Sequence, residues 1–252
     1  MTSVARRYPH RNLHGRIVHT LGRRILGGEI RPGDALEAGN GMAASRTALR
    51  EAIKVLAAKG LVEAKPRIGT RVSPRESWNL LDPDVMAWQH ESTPRQTFLR
   101  KLTEVRAVIE PHAAALAAER ADATAIAELE SAFDAMSAAL NASINGHSRP
   151  DVDAFVEADL RFHLAILRAC GNDLLEQMTR TVYSALHVSF QTTSRRPGSA
   201  RRSLPKHRAI LRAISTGQAS QAYSAMRTLV AETAREIGTL PRGDRAGRKS
   251  QR

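Results

Sequence analysis

Residues 45–72 switch between two hydrophobic periods. Leu49, Ala52, Ile53, Leu56 and Ala57 recur at the three-and-four spacing that lines one face of a helix. Ser45 precedes them as an N-cap, and Gly60 follows as the residue best able to adopt the left-handed helix stop. Arg46, Thr47, Arg50 and Lys54 fall off that face. Two short strand-like runs at 61–64 and 70–72 then flank the basic, glycine-bearing tip Lys65-Pro66-Arg67-Ile68-Gly69, so the pattern predicts a helix followed by a hairpin, the layout of a winged helix. Upstream, Leu13, Ile17, Val18, Leu21 and Ile25 trace another amphipathic helix that Gly27-Gly28 ends, with a turn at 31–34.

From residue 94 onward helix follows helix, over 94–119, 123–142, 151–170, 172–193, 203–216 and 218–237, parted at Asn145-Gly146, Gly171-Asn172, Pro197-Gly198 and Gly217. No strand alternates with these helices and neither GxGxxG nor GxxxxGK[ST] occurs, which argues against a nucleotide-binding α/β enzyme. The stretch 74–83 carries Pro74 and Pro83 and reads as a linker, with Trp78 packed on a domain. The predicted fold is mainly α. It comprises a flexible arm (1–10), a winged helix-turn-helix domain (11–73), the linker, an all-α antiparallel bundle (84–240) and a disordered basic tail (241–252).

Charge sharpens this division. The net charge is +13, and residues 1–75 carry 15 Lys/Arg against 5 Asp/Glu. The tail from 241 adds five Lys/Arg and one Asp. A phosphate backbone is the most general partner for such a field, although an anionic membrane surface also responds to it. No run of about 18 apolar residues marks a membrane span. The lone Cys170 excludes an internal disulfide framework and reads as a core residue. With no secretory signal pattern either, the expected compartment is the cytoplasm.

A helix with Arg and Thr on the solvent side of its first two turns can enter a major groove, where Arg reads guanine edges. By itself such a stripe is more often an ordinary solvated face. The hairpin behind it favours the first reading. Ser45-Arg46-Thr47, Arg50-Glu51-Ala52, Leu56, Gly60-Leu61-Val62 and Gly69-Thr70, in that order and spacing, resemble the GntR-type bacterial transcription regulators. The resemblance implies DNA contacts from Ser45, Arg46, Thr47, Arg50 and Lys54 on the recognition helix, and from Arg67, Gly69 and Thr70 on the wing. The chain departs from the family at 37–44, where the supporting helix is about one turn short. The run WNLLDPDVMAWQ from Trp78 resembles the linker of regulators of sugar-acid operons such as galactonate's, a FadR-like branch.

Asp159 and His163 are four residues apart, which places both on one helical face, and His207 opens a later helix. Three such ligands suit a divalent metal such as Zn, Ni or Mn; satisfied core or surface groups are the plainer reading. The run Glu157-Ala158-Asp159-Leu160-Arg161-Phe162-His163 and the later His207 resemble the FCD ligand-binding domain. That resemblance implies one Asp and three His around a metal, with Leu229 standing where the third His is expected. Without a metal, the same three residues would hydrogen-bond a polyhydroxylated ligand. Arg106, within EVRAVIEP, sits on a helix packed into the bundle and needs an anion. That anion is either Glu110, one turn on, or the carboxylate of a small effector held in a bidentate clamp. His112, His147 and His187 lack partner spacing and read as structural or exposed.

The resulting expectation is a cytoplasmic, homodimeric regulator, not an enzyme, with operator DNA and a small organic acid as partners. A repressor released by an aldonate-like sugar acid is the specific form. The rival from another class is a metal-dependent enzyme on the bundle, for which the sequence offers no evident general acid or base. A generic DNA-packaging or membrane-surface protein leaves the patterned bundle unexplained.

Overall fold

A computed structural model describes residues 8–9, 13–36, 46–65, 69–141, 143–144, 147–148 and 150–241. Most of the predicted arm, the short segment 37–44, Ser45, Arg67 and the tail from 242 lie outside the described residues. The chain forms two compact units, divided between Phe98 and Leu99.

In the first unit, α1 (Leu13–Leu26) buries Ile17, Val18, Leu21 and Ile25 as its period predicts, while Leu13 remains half exposed. The next described helix, α2 (Arg46–Ala58), buries Ala52 and Leu56 and half-covers Leu49 and Ile53. Ala57 is exposed, contrary to the sequence reading, because each residue advances about 100° round the helix and carries it past the buried stripe. Gly60 follows with φ +73°, where a Cβ would lie 2.0 Å from the Ser77 carbonyl oxygen. Only glycine fits that stop. The wing is β1 (Val62–Lys65) antiparallel to β2 (Gly69–Val72), with Val62 opposite Val72 and Lys65 opposite Gly69.

The sequence reading leaves out α3 (Pro83–Ser92). Asp82 caps it by accepting from the Asp84 and Val85 N–H groups, and Pro83 occupies its first position, where proline starts a helix rather than breaking it. Val85, Met86, Ala87 and Trp88 are all buried, so this helix carries no amphipathic period to detect. It packs on α1, where the Trp88 ring lies over Gly22 and its indole N–H donates to His19 Nδ1 at 2.9 Å. Lys59, just after α2, reaches Asp82 and Asp84, each at 2.8 Å. Trp78 is buried in the same core.

The second unit is the predicted bundle. It contains α4 (Arg95–Arg120) from Leu99 on, α5 (Ala123–Leu140), α6 (Val152–Ala169), α7 (Asp173–Ser194), α8 (Ser199–Ser215) and α9 (Ala219–Gly238). Asp122, Asp151 and Asn172 accept backbone N–H bonds at the starts of α5, α6 and α7. Helix α5 packs on α6 and α8, α6 on α7, and α8 on α9. Ala113, Ala114 and Ala117 let α4 approach a core of Phe133, Met136, Phe155, Phe162, Ile210 and Met226. Cys170 is buried there as expected, and burial pushes its thiol pKa up, as for an inert core cysteine.

Two details depart from the sequence reading. Helix α8 begins at Ser199 rather than 203, because Gly198 turns the chain at φ +73° and Pro205 is carried inside the helix. A minimal hairpin pairs β3 (Ser143–Ile144) with β4 (His147–Ser148), strands too short to show alternation. Among the described residues, no helix is long and apolar enough to cross a membrane.

Candidate effector and metal site

Three helices converge on one buried cluster. Helix α6 supplies Asp159 and His163 one turn apart, α8 supplies His207, and α4 supplies Arg106 and Glu110. The three candidate ligand atoms of Asp159, His163 and His207 lie within 4.8 Å of one another. Asp159 Oδ1 is 2.9 Å from His207 Nε2 and 3.4 Å from His163 Nε2. Neither Asp159 Oδ1 nor His207 Nε2 makes an aligned hydrogen bond despite this proximity. His207 Nδ1 instead bonds to the Ser203 carbonyl at 2.9 Å, which puts a ring proton on Nδ1 and turns Nε2 toward Asp159.

This donor set fits a metal ion. Bonds of about 2.0–2.1 Å in a tetrahedral shell separate neighbouring ligand atoms by roughly 3.3 Å, close to the 2.9 and 3.4 Å from Asp159 Oδ1 to the two imidazoles. The field also demands positive charge. Burial alone would raise Glu110, but Arg106 and His163 hold it down at about 2. Asp159 is likewise lowered against burial by His207 and His163. His163 is pushed up to about 9, because Glu110 and Asp159 outweigh a burial effect of opposite sign. Either a proton or a divalent cation answers that potential.

Arg106 resolves the sequence alternatives in an unexpected way. It is 4% exposed and bonds Glu110 through Nε at 2.7 Å and Nη2 at 3.2 Å, so the internal pair is made. Its guanidinium also lies 4.4 Å over the Phe190 ring. Yet Nη1 is buried without a hydrogen-bond partner. Arg106 lines an open-mouthed cavity together with Asp159, His163 and His207. Leu229, 5% exposed, lines the same cavity.

The DNA-contact candidates lie in the first unit. Thr47, Arg50 and Lys54 are exposed, on the side of α2 opposite Ala52 and Leu56. Lys54 Nζ is 2.8 Å from Glu51. Gly69 is exposed at φ +87° where β2 begins, and Thr70 is half-buried. Arg46 is the first residue of α2, but its side chain, like Ser45 and Arg67, lies outside the described residues.

Among the other histidines, His112 is exposed and bonds the Val108 carbonyl, while His187 stands 3.1 Å from Glu157. The His147 side chain, too, lies outside what the structure describes. The sequence reading did not point to Glu110 as a neighbour of His163 (3.0 Å), nor to the cavity residues Phe190, Ser199, Ser203, Glu232, Thr233 and Glu236. Their spacing offered a signal, since Ser199, Ser203 and His207 share one stripe of α8, and Leu229, Glu232, Thr233 and Glu236 one stripe of α9.

Comparison with known proteins agrees with this architecture. Residues 13–72 match the gntR family of bacterial regulatory proteins, and residues 101–232 match the FCD domain. The chain is 34% identical over 231 residues to the galactonate operon transcriptional repressor of Escherichia coli K12, covering 90% of this chain and 97% of that protein. This chain belongs to the GntR family of transcription regulators. A further relative is the HTH-type regulator LutR of Bacillus subtilis, 30% identical over 211 residues, covering 80% and 90% of the two chains. Among solved structures, a Listeria monocytogenes regulator (Lar) that controls the agr system matches with TM-score 0.55 at 18% identity, covering 94% of this chain and all of the other. Streptococcus agalactiae GntR matches at 0.50 and 22%, covering 88% and 99%. At those identities the structures speak to the fold alone. The GntR-family regulator thus joins a DNA-binding head to an FCD domain that carries a buried His/Asp cluster.

Proposed function

We propose that this GntR-family regulator is a cytoplasmic homodimeric repressor that leaves its operator when a small organic acid enters the FCD cavity. The observation that carries this reading is Arg106, which is buried and bidentate to Glu110, keeps Nη1 without a partner, and lines the cavity beside three candidate metal-ligand side chains. A buried guanidinium nitrogen without a partner is satisfied by an incoming carboxylate. Asp159, His163 and His207 hold a divalent ion, of which Zn, Ni and Mn suit two imidazoles and a carboxylate. When bound, the ion supplies positive charge and open coordination positions for ligand oxygens. Glu110 orients His163 and compensates Arg106, and Ser203 fixes the tautomer of His207.

The E. coli relative, a repressor of the galactonate operon, supports a sugar acid of that type as effector. Thr47, Arg50 and Lys54, with Arg46 and the wing, are the DNA-contacting residues in this reading. Release requires the acid to bind one arrangement of the heads better than the other; equal affinity for both would leave operator occupancy unchanged. The relatives being regulators supports a sensor rather than an enzyme for the metal site.

A thermal-shift screen of sugar acids, with and without chelator, tests this, because a ligand that binds only the native state raises its melting temperature. A shift that chelator abolishes supports the metal-assisted form. No shift with any acid would overturn the sensor reading.

A further inference from the structure

The two ends of the FCD cavity differ in chemistry. On α8, Ser199 and His207 lie eight residues apart on one stripe, about 12 Å along the helix axis. Ser199 Oγ is 2.8 Å from both carboxylate oxygens of Glu236, which joins the start of the α8 stripe to the far end of the α9 stripe. Arg106, Asp159 and His163 gather at the His207 end, which offers a spare N–H donor and metal ligands.

At the Ser199 end the hydroxyl hydrogens are already committed. Ser199 donates to Glu236, Ser203 to the Ala200 carbonyl at 2.9 Å, and Thr233 to the Leu229 carbonyl at 3.2 Å. Thr193 donates to the Ser189 carbonyl at 3.2 Å. These side chains therefore turn only lone pairs toward the cavity, as do the carboxylates of Glu232 and Glu236. An acceptor-rich wall repels a second carboxylate and is satisfied by donors. Both carboxylates already have a cation: Glu236 pairs with Arg202 at 3.1 Å and Glu232 with Lys206 at 2.5 Å. Their charge is compensated, so an ammonium gains little, whereas a hydroxyl can still use the remaining lone pairs.

We propose that Ser199, Ser203 and Glu236 form a subsite for the effector's tail, accepting hydrogen bonds from hydroxyls on the distal carbons of an open-chain acid. The carboxylate lies at Arg106. This rests on the reading of the cavity as an organic-acid site and adds which part of the acid is discriminated, and by which residues.

The test is calorimetric titration of the full-length, metal-loaded protein with three probes: a six-carbon aldonate, the same aldonate lacking its two distal hydroxyls, and lactate. Wild type is expected to prefer the full aldonate over each of the others by about tenfold or more, since a buried acceptor left unpaired is costly. Ser203→Ala and Glu236→Gln are expected to reduce that ratio several-fold. Glu236→Gln also loses charge against Arg202 and can unfold the bundle, so Ser203→Ala, which keeps the backbone carbonyl used by His207, decides the matter if it does. Equal affinity for the full and distally deoxygenated aldonates, or an undiminished ratio in Ser203→Ala, overturns the subsite while leaving the acid sensor standing. Failure of all three acids to bind overturns the sensor reading and the subsite with it.

Discussion

Glu110 Oε2 lies 3.0 Å from Nδ1 of His163, while the opposite ring nitrogen faces Asp159 at 3.4 Å. A carboxylate behind an imidazole draws the ring proton to its own side and frees the other nitrogen for a metal. Glu110→Gln keeps an acceptor but loses the charge that faces both His163 and Arg106. The expected outcome is a loss of about 10- to 100-fold in Ni or Zn affinity by titration calorimetry. Unchanged affinity in a folded variant would remove Glu110 from the site.

Leu229 stands on the wall of the same cavity, 5% exposed, where the family resemblance implies a third histidine. Leu229→His therefore adds a candidate ligand on α9. Metal affinity should rise about tenfold or more by competition with a calibrated chelator. An unaltered or lower affinity would show that α9 is too far from the cluster to contribute.

The helix with its glycine stop, the wing and the Asp159–His163 pair were legible in sequence because each is a local pattern: a stripe, a left-handed residue, one turn of spacing. Arg106–Glu110 was legible for the same reason. The approach of Glu110 to His163 was not, since it joins α4 to α6 across more than fifty residues and only packing brings them together. Helix α3 escaped because its buried residues run consecutively from Asp84 to Trp88 and it begins at a proline that reads as a break. The early start of α8 escaped because Pro205 resembles a first-turn proline, although four residues of helix precede Ser203.

Gly22 is a case where sequence misleads about stability. A glycine inside α1 reads as a weak helical position that alanine would improve. A Cβ at Gly22, however, would lie 2.4 Å from the Trp88 ring. Gly22→Ala should destabilise the first unit by about 1–3 kcal/mol, as overpacking of a filled core does. Both tryptophans of the chain, Trp78 and Trp88, belong to that core, so denaturant unfolding followed by tryptophan fluorescence measures it directly. A more stable variant would mean that α3 yields without cost.

Lys59 ties the end of α2 to the start of α3. Burial pulls its pKa down, but the bonds to Asp82 and Asp84 outweigh that and raise it above 10.5. A raised folded-state pKa contributes stability that is fully present below the unfolded value and is lost as pH rises through the folded one. The link should therefore be constant between about pH 6 and pH 9 and fail only above about pH 10.5. Lys59→Met leaves Asp84, nearly fully buried, without its cation, at an expected cost of roughly 3 kcal/mol. The deficit should be the same at both ends of the neutral range and shrink in strong alkali. A deficit that grows with alkalinity contradicts the assignment.

Thr47, Arg50 and Lys54 lie on one exposed stripe of α2, and the three should not behave alike. Lys54 is held by Glu51 at 2.8 Å, which lowers the Glu51 pKa through the bond and charge of Lys54 and leaves the lysine a weaker field for phosphate. Arg50 and Thr47 are nearer the start of the helix, the end that enters a major groove in winged and helix-turn-helix readers. If Arg50 reads base edges, as proposed, Arg50→Ala should cost about 1–3 kcal/mol and relax sequence preference, whereas if Lys54 meets only phosphate, Lys54→Ala should weaken all duplexes equally and flatten the salt dependence. Competition between a duplex enriched by the wild-type protein and a random one, at two salt concentrations, separates the two cases. Because all three side chains are exposed, alanine at each should leave the melting temperature unchanged, so a fall in binding cannot be ascribed to unfolding. If Arg50→Ala and Thr47→Ala together keep the wild-type preference for the enriched duplex, α2 is not the reading helix.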